Sequence, residues 1–293
     1  MRILMVILPL SLASAQSYYN LRSGFLDRKG EIDSMRLTQA EESAGTRTFD
    51  FVLYSSEDDS LKGRVRFPKG DGSFPAALLC VGIETGKEVI AMIEGQDSVI
   101  LMAVDYPFEG EWDFKGLAAI GTTFRLRSMA YRAVPLLLNC LDWLFQHQAV
   151  GKNDVTVVAV SFGIFTAAPV AVIDQRVKQL VVVQAGGDLS GVIRHNSERW
   201  GVSIPVWLAG WLGGAILSPF EPNKYVLYLS PRQLLMINGE GDSFFPRFSA
   251  ESLYDHAREP KEAIWHRSGH VAPGEKELIK ELTNIVAKRV YKR

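Results

Sequence analysis

Short apolar runs alternate with longer segments of helical period along most of the chain. Runs rich in Val, Ile and Leu at 76–81, 99–104, 155–160, 180–184, 234–238 and 263–266 have the length and bounding turns of buried strands. Segments at 88–94, about 123–147, 164–173, 246–257 and 275–290 carry apolar residues at helical spacing. Such alternation predicts an α/β fold, a mostly parallel sheet flanked by helices on both faces. Ahead of it, 46–54 and 61–67 are β-rich and separated by Glu57-Asp58-Asp59-Ser60, which predicts an N-terminal antiparallel hairpin. Residues 16–45 are polar without a clear period and are expected to form a surface arm. Pro135 predicts a kink in the longest helix.

One stretch breaks the alternation. Between the sixth and seventh predicted strands lie about fifty residues, a length that usually marks a lid or functional insertion. This lid-like insertion, 186–232, contains Trp200, Trp207 and Trp211, and its centre, 203–220, carries no charge. It reads as a helical excursion over the sheet, a substrate-facing lid, or a bilayer-embedded hairpin. Gly210, Gly213, Gly214, Pro205 and Pro219 argue against the last, because they make a poor spanning helix.

Composition narrows the function classes. The 293 residues are 47% hydrophobic and 22% charged, enough for one large α/β domain or two smaller ones without metal or disulfide staples; the strand pattern places a single domain at 46–293. A net charge of -1 and the absence of any run of five Lys/Arg give no field for nucleic acid. Cys80 and Cys140 lie in apolar stretches and read as buried thiols, with a disulfide between them left open.

The start of the chain has its own pattern. Arg2, the nearly all-apolar 3–12 and the small residues Ala13-Ser14-Ala15 read as a cleaved signal peptide, 1–15. About ten apolar residues are half of what a membrane span needs. The mature protein is therefore expected to be exported, periplasmic or secreted.

The sharpest chemical signal is a buried strand, Val155-Thr-Val-Val-Ala-Val, followed by Ser161-Phe-Gly163 and a helix of small and apolar residues. A serine at such an apex needs small neighbours two before and two after, which Ala159 and Gly163 supply. The bland alternative is a serine capping the helix. A nucleophilic serine needs a base and a group to orient that base. Downstream, Leu-Leu-Met-Ile-Asn-Gly-Glu-Gly-Asp242 and Ala-Ile-Trp-His-Arg-Ser-Gly-His270 are strands ending in Gly-containing loops that carry Asp242 and His270. All three residues fall past the carboxyl ends of predicted parallel strands, where active sites of open α/β sheets form.

This order of Ser161, Asp242 and His270 resembles that of the α/β-hydrolases, over roughly residues 47–290. Within them, Pro222-Asn-Lys-Tyr225, Pro231-Arg232 and the run ending at Asp242 resemble the dienelactone-hydrolase-like and acetyl-xylan-esterase-like esterases. Two motifs depart. The Gly-x-Ser-x-Gly elbow is Ala159-Val-Ser161-Phe-Gly163, and the His-Gly pair after the third strand is Val81-Gly82. The resemblance implies that Ser161 attacks an acyl carbonyl, His270 shuttles its proton and Asp242 orients the imidazole. It also implies an oxyanion hole from the backbone N–H groups of Phe162 and Ile83. The expected substrate is a small-molecule ester, with no metal or organic cofactor. Peptidase, thioesterase and lactonase chemistry would use the same residues.

Competing candidates are weaker. Glu240 shares the turn with Asp242 and is the alternative acid. His266, four residues before His270, lacks the His-Glu-x-x-His context of a zinc site. His147, His195 and His256 read as surface or capping residues, and Asp105 as a turn acceptor. Gly186-Gly187 and Gly239-x-Gly241 do not complete a phosphate loop. A reading from another class is a non-catalytic protein of this fold that binds lipid, a membrane surface or a partner through 203–220. The three insertion tryptophans also suggest an apolar acyl group.

Overall fold

A single nine-stranded sheet organises the computed structural model, which describes residues 10–57 and 59–291. The chain begins with α1 (Leu10–Leu26), β1 (Ile32–Glu42), β2 (Thr46–Ser55), β3 (Ser60–Pro68) and β4 (Phe74–Cys80). It continues through the one-turn α2 (Val89–Met92), β5 (Ile100–Asp105), α3 (Ala118–Gln146), β6 (Val150–Val160), α4 (Ile164–Ile173) and β7 (Gln179–Val183). Then come α5 (Leu189–Asn196), α6 (Val206–Leu217), α7 (Asn223–Val226), β8 (Gln233–Gly239), α8 (Arg247–His256), β9 (Lys261–His266) and α9 (Lys276–Val290).

Across the sheet the order is β1-β2-β3-β5-β4-β6-β7-β8-β9. Strands β4 to β9 run parallel, and β1, β2 and β3 join through antiparallel pairings, of which β2–β3 is the predicted hairpin. Alternate residues of the central strands feed two apolar clusters, one on each face. Ala76, Leu78 and Cys80 of β4 point to the face covered by α1, α3, α4 and the insertion. Ala77 and Leu79 point to the face covered by α2 and α9. Burial on both faces explains why these strands read as continuous apolar runs.

The arm expected at 16–45 is instead regular structure. Helix α1 buries Phe25 and stacks Tyr18 on Tyr228 at 4.2 Å between ring centroids. Strand β1 is almost entirely exposed and pairs with β2 along the sheet edge. Its sequence shows no alternation because backbone hydrogen bonds, not a buried face, hold it, and its charged residues suit an edge. Residues 1–9 of the expected leader, and Asp58 of the expected hairpin turn, lie outside the described residues. Helix α3 starts five residues before the predicted position and continues through Pro135.

Because β1 adds a strand, the insertion lies between β7 and β8. It is helical, with α6 packed on α5 and α3. Among the described residues no helix is long and apolar enough to cross a membrane. The uncharged 203–220 segment is mostly the twelve-residue α6, which sets the bilayer-hairpin reading aside. Cys80 and Cys140 are both free and buried, so the open disulfide is absent.

Candidate active site

Strand β4 is the point where the strand order reverses, with β5 on one side and β6 on the other. The crevice past the carboxyl ends at such a point is the usual ligand site of an open α/β sheet. Ser161 follows β6 there, in a 3-10 turn, Ser161–Gly163, that leads into α4. Its φ is 53°, in the left-handed region that costs a non-glycine residue about 1–3 kcal/mol. The tightness has a visible cause: a Cβ on Gly163 would lie 1.9 Å from the carbonyl oxygen of Cys80. Only glycine lets β4 and the Ser161 turn approach so closely.

The helix-capping alternative fails on the position of the hydroxyl. Val160, not Ser161, is the N-cap of the turn, and no side-chain cap bond forms. Ser161 Oγ lies instead 2.8 Å from His270 Nε2. On the other side of the ring, His270 Nδ1 lies 2.8 Å from Asp242 Oδ2. The remaining oxygen, Asp242 Oδ1, accepts from the backbone N–H groups of Phe244 and Phe245 at 2.8 and 2.9 Å. Asp242 is buried, with 2% of its side chain exposed, so the carboxylate is held in one orientation by these three partners rather than by solvent.

The loops carrying Asp242 and His270 are tied to each other. Glu240 N–H donates to His266 O at 2.8 Å, and Gly241 N–H to Ser268 O at 2.9 Å. A Cβ on Gly239 would sit 2.8 Å from Ser268 O, so this close approach also requires glycine. Glu240 itself is exposed and Asp242 holds the imidazole, so the alternative acid is not at the ring.

Sequence reasoning missed Gln184. It is fully buried just past β7, with φ 48°. Its Nε2 donates to Gly269 O at 2.8 Å and to Ser268 Oγ at 3.0 Å, and its Oε1 accepts from the Val271 N–H. One side chain thus fixes the backbone on both sides of His270. The only sequence signal is a Gln closing an apolar strand, at odds with burial unless its amide is satisfied.

Phe162 and Ile83 sit on adjacent strand ends, three residues past Ala159 of β6 and Cys80 of β4, which are paired in register. Both line the same cavity as Ser161 and His270. Rings surround them: Trp112 and Phe165 lie 6.0 and 5.2 Å from Phe162, and Phe244 lies 5.0 Å from His270. Asp105 accepts from Lys87 N–H at 2.9 Å, the turn role expected of it. His266 faces Glu281 at 3.3 Å, His195 meets Ser243 O, His256 bonds back to Ser252 O, and His147 stacks on Phe67. Among the described residues no cluster of His, Cys, Asp or Glu could hold a metal ion.

Of the insertion tryptophans, Trp200 lines the cavity. Trp207 and Trp211 point outward at 65% and 63% exposure, so they do not contribute to an acyl pocket as expected. The insertion is latched by Glu221, which accepts from the N–H groups of Leu189, Asp188 and Asn223. Burial raises its carboxyl above the usual range.

The strand order, the parallel core and the serine turn after β6 define an α/β-hydrolase fold. Solved structures share it at low identity. An acetyl xylan esterase from a Thermoanaerobacterium species aligns with 14% identity and a TM-score of 0.66, covering 97% of this chain and 99% of that one. One from a Paenibacillus species gives 17% and 0.65, covering 95% and 99%. A cold-adapted esterase from an Arctic intertidal metagenomic library gives 13% and 0.56, covering 87% and 99%. No profile of a known protein family matches the chain, and no curated protein does.

Proposed function

We propose that the protein is an exported serine hydrolase that cleaves carboxylic esters through an acyl-enzyme. The observation that carries this reading is the continuous contact from Asp242 through His270 to Ser161, 2.8 Å at each step. Esterases among the solved structures of the same fold support it. His270 Nε2 takes the Ser161 proton as Oγ bonds to the acyl carbon, and Asp242 stabilises the imidazolium. The C–O bond to the alcohol then breaks, and the alcohol leaves with the proton from His270. Water, deprotonated by His270, attacks the acyl-enzyme; the acid departs and Ser161 regains its proton. The backbone N–H groups of Phe162 and Ile83 receive the developing oxyanion, each such donor being worth about 3 kcal/mol in the transition state.

Export rests on the leader pattern of residues 1–15. Cleavage after Ala15 leaves Tyr18 and Phe25, two buried residues of α1, in the mature chain. A transient lipid contact is supported by the exposed Trp207 and Trp211 on the uncharged α6. The same surface would serve a non-catalytic lipid-binding protein, and turnover separates the two. Nitrophenyl esters should be hydrolysed by the wild type, with kcat lowered at least about a thousandfold in Ser161→Ala. A folded Ser161→Ala variant with unchanged turnover would refute the reading.

A further inference from the structure

A cavity of about 550 Å³ opens at Ser161, and its walls belong to both faces of the sheet. On one side it is lined by Trp112, Phe114, Trp200, Ile204 and Leu212, from the α3 approach and the insertion. On the other it runs beneath the carboxyl edge, between the sheet residues Ala77, Leu79, Leu101 and Val158 and the α9 residues Leu282 and Val286. Those four sheet residues are at most 6% exposed. Ser161, Phe162 and His270 follow the carboxyl ends of the strands that divide the two faces, and all three line the same cavity.

The second lobe has a physical origin in the chain. The β4–β5 connection carries only a 3-10 turn, Gly86–Glu88, and the one-turn α2, a short cover beside the fifteen-residue α9. Every strand residue that lines this lobe is apolar, Val160 and Val183 included, and so are Val81 and Val99, which flank β4 and β5. Thr283 on α9 lines the cavity with a hydroxyl, but the strand wall offers a sugar's hydroxyls no partners, and each buried unpaired hydroxyl is costly. An acetyl group would leave most of the space empty, since cavities of about 300–1,000 Å³ enclose whole drug-sized ligands.

We propose, resting on the hydrolase reading above, that the substrate is an ester of a medium- or long-chain fatty acid whose acyl chain lies in the lobe between the sheet and α9. The lobe under the insertion then holds the alcohol portion. Specificity should follow acyl length, because each methylene moved from water into an apolar wall is worth about 0.8 kcal/mol, or about fourfold in binding.

The test combines turnover with ligand binding. Thr283 and Ala287 lie on α9, line the cavity and are half-buried, so larger side chains there fill the lobe without entering the sheet core. For wild type, kcat/KM on nitrophenyl esters should rise about two- to fourfold per methylene from acetate to octanoate. Thr283→Trp should lower octanoate turnover at least tenfold while leaving acetate within about twofold; Ala287→Phe, a second variant should the first fail to fold, should do the same. In a Ser161→Ala background, dodecanoate should displace a fluorescent fatty acid, acetate should not, and Thr283→Trp should weaken the dodecanoate at least tenfold. Ser161-dependent hydrolysis that is best on acetate would overturn the acyl-chain proposal and leave the hydrolase reading standing. Dodecanoate binding that Thr283→Trp weakens, with no turnover of any ester, would support the lobe and overturn the hydrolase reading. Equal losses on acetate and octanoate, or dodecanoate binding untouched by both α9 variants, would also overturn the proposal.

Discussion

Gln184, at the end of β7, donates to the carbonyl of Gly269 and accepts from the N–H of Val271, the two residues that flank His270. The histidine is therefore held through its backbone by Gln184 and through its ring by Asp242. Losing a buried amide with three partners costs about 1–3 kcal/mol in general. Gln184→Ala should lower stability by about that amount, and it should also lower kcat with little change in KM, because the imidazole loses its fixed place rather than the substrate its pocket. Gln184→Glu keeps the acceptor for Val271 but cannot donate to Gly269, so it should recover only part of the rate. Unaltered kcat in a folded Gln184→Ala would show that the ring contact alone suffices.

Gly163 is set against Cys80 O at a distance no side chain tolerates. Gly163→Ala should force the Ser161 turn away from β4, costing about 1–3 kcal/mol of stability as measured by urea unfolding. It should also slow acylation of Ser161 more than the stability loss alone explains. The reverse change two residues before the serine, Ala159→Gly, relieves no clash in this chain and should leave acylation within about twofold, apart from a stability loss of about 1 kcal/mol from the small buried side chain.

On α6, Trp207 and Trp211 are one helical turn apart and mostly exposed. Fully burying an apolar side chain gains about 1.5–3 kcal/mol, so replacing both by Ala should weaken partition onto neutral lipid vesicles about tenfold or more. Hydrolysis of a soluble short-chain ester should be unaffected. Vesicle binding that survives the double substitution would place the lipid contact elsewhere.

Alkaline pH should unfold the protein in a defined window. Burial pushes the Cys80 thiol up to about 12, from an ordinary 9.0, and raises Cys140, Tyr106, Tyr225 and Tyr291 as well. The unfolded chain releases the thiol protons above about pH 9 and the phenol protons above about pH 10, while the native state keeps them. Stability is therefore full below about 9 and falls as pH rises toward 12, by about 1.4 kcal/mol per unit for each such group. Urea midpoints measured across this range should fall steadily, and folded protein should resist thiol alkylation. A flat midpoint would contradict the burial of these groups.

Strands β4 to β8 were legible because both faces are buried, and Ser161, Asp242 and His270 because each follows a strand in a turn or loop that contains a glycine. Strand β1 was not, since an exposed edge leaves no hydrophobic period. Gln184 escaped for a different reason: its partners lie more than eighty residues away, and a single polar residue has no pattern. The outward turn of Trp207 and Trp211 and the lobe beneath α9 depend on how helices pack over the sheet, which spacing along one chain does not encode.

The central claim is that Ser161 is an activated nucleophile. Labelling of the folded protein with a fluorophosphonate probe, followed by mapping of the modified residue, tests it without reference to any substrate. The account predicts one label on Ser161 in the wild type, none in Ser161→Ala, and at least a hundredfold slower labelling in His270→Ala, on the order expected when a catalytic base is removed. A label on another residue, or equal labelling of wild type and Ser161→Ala, would contradict it.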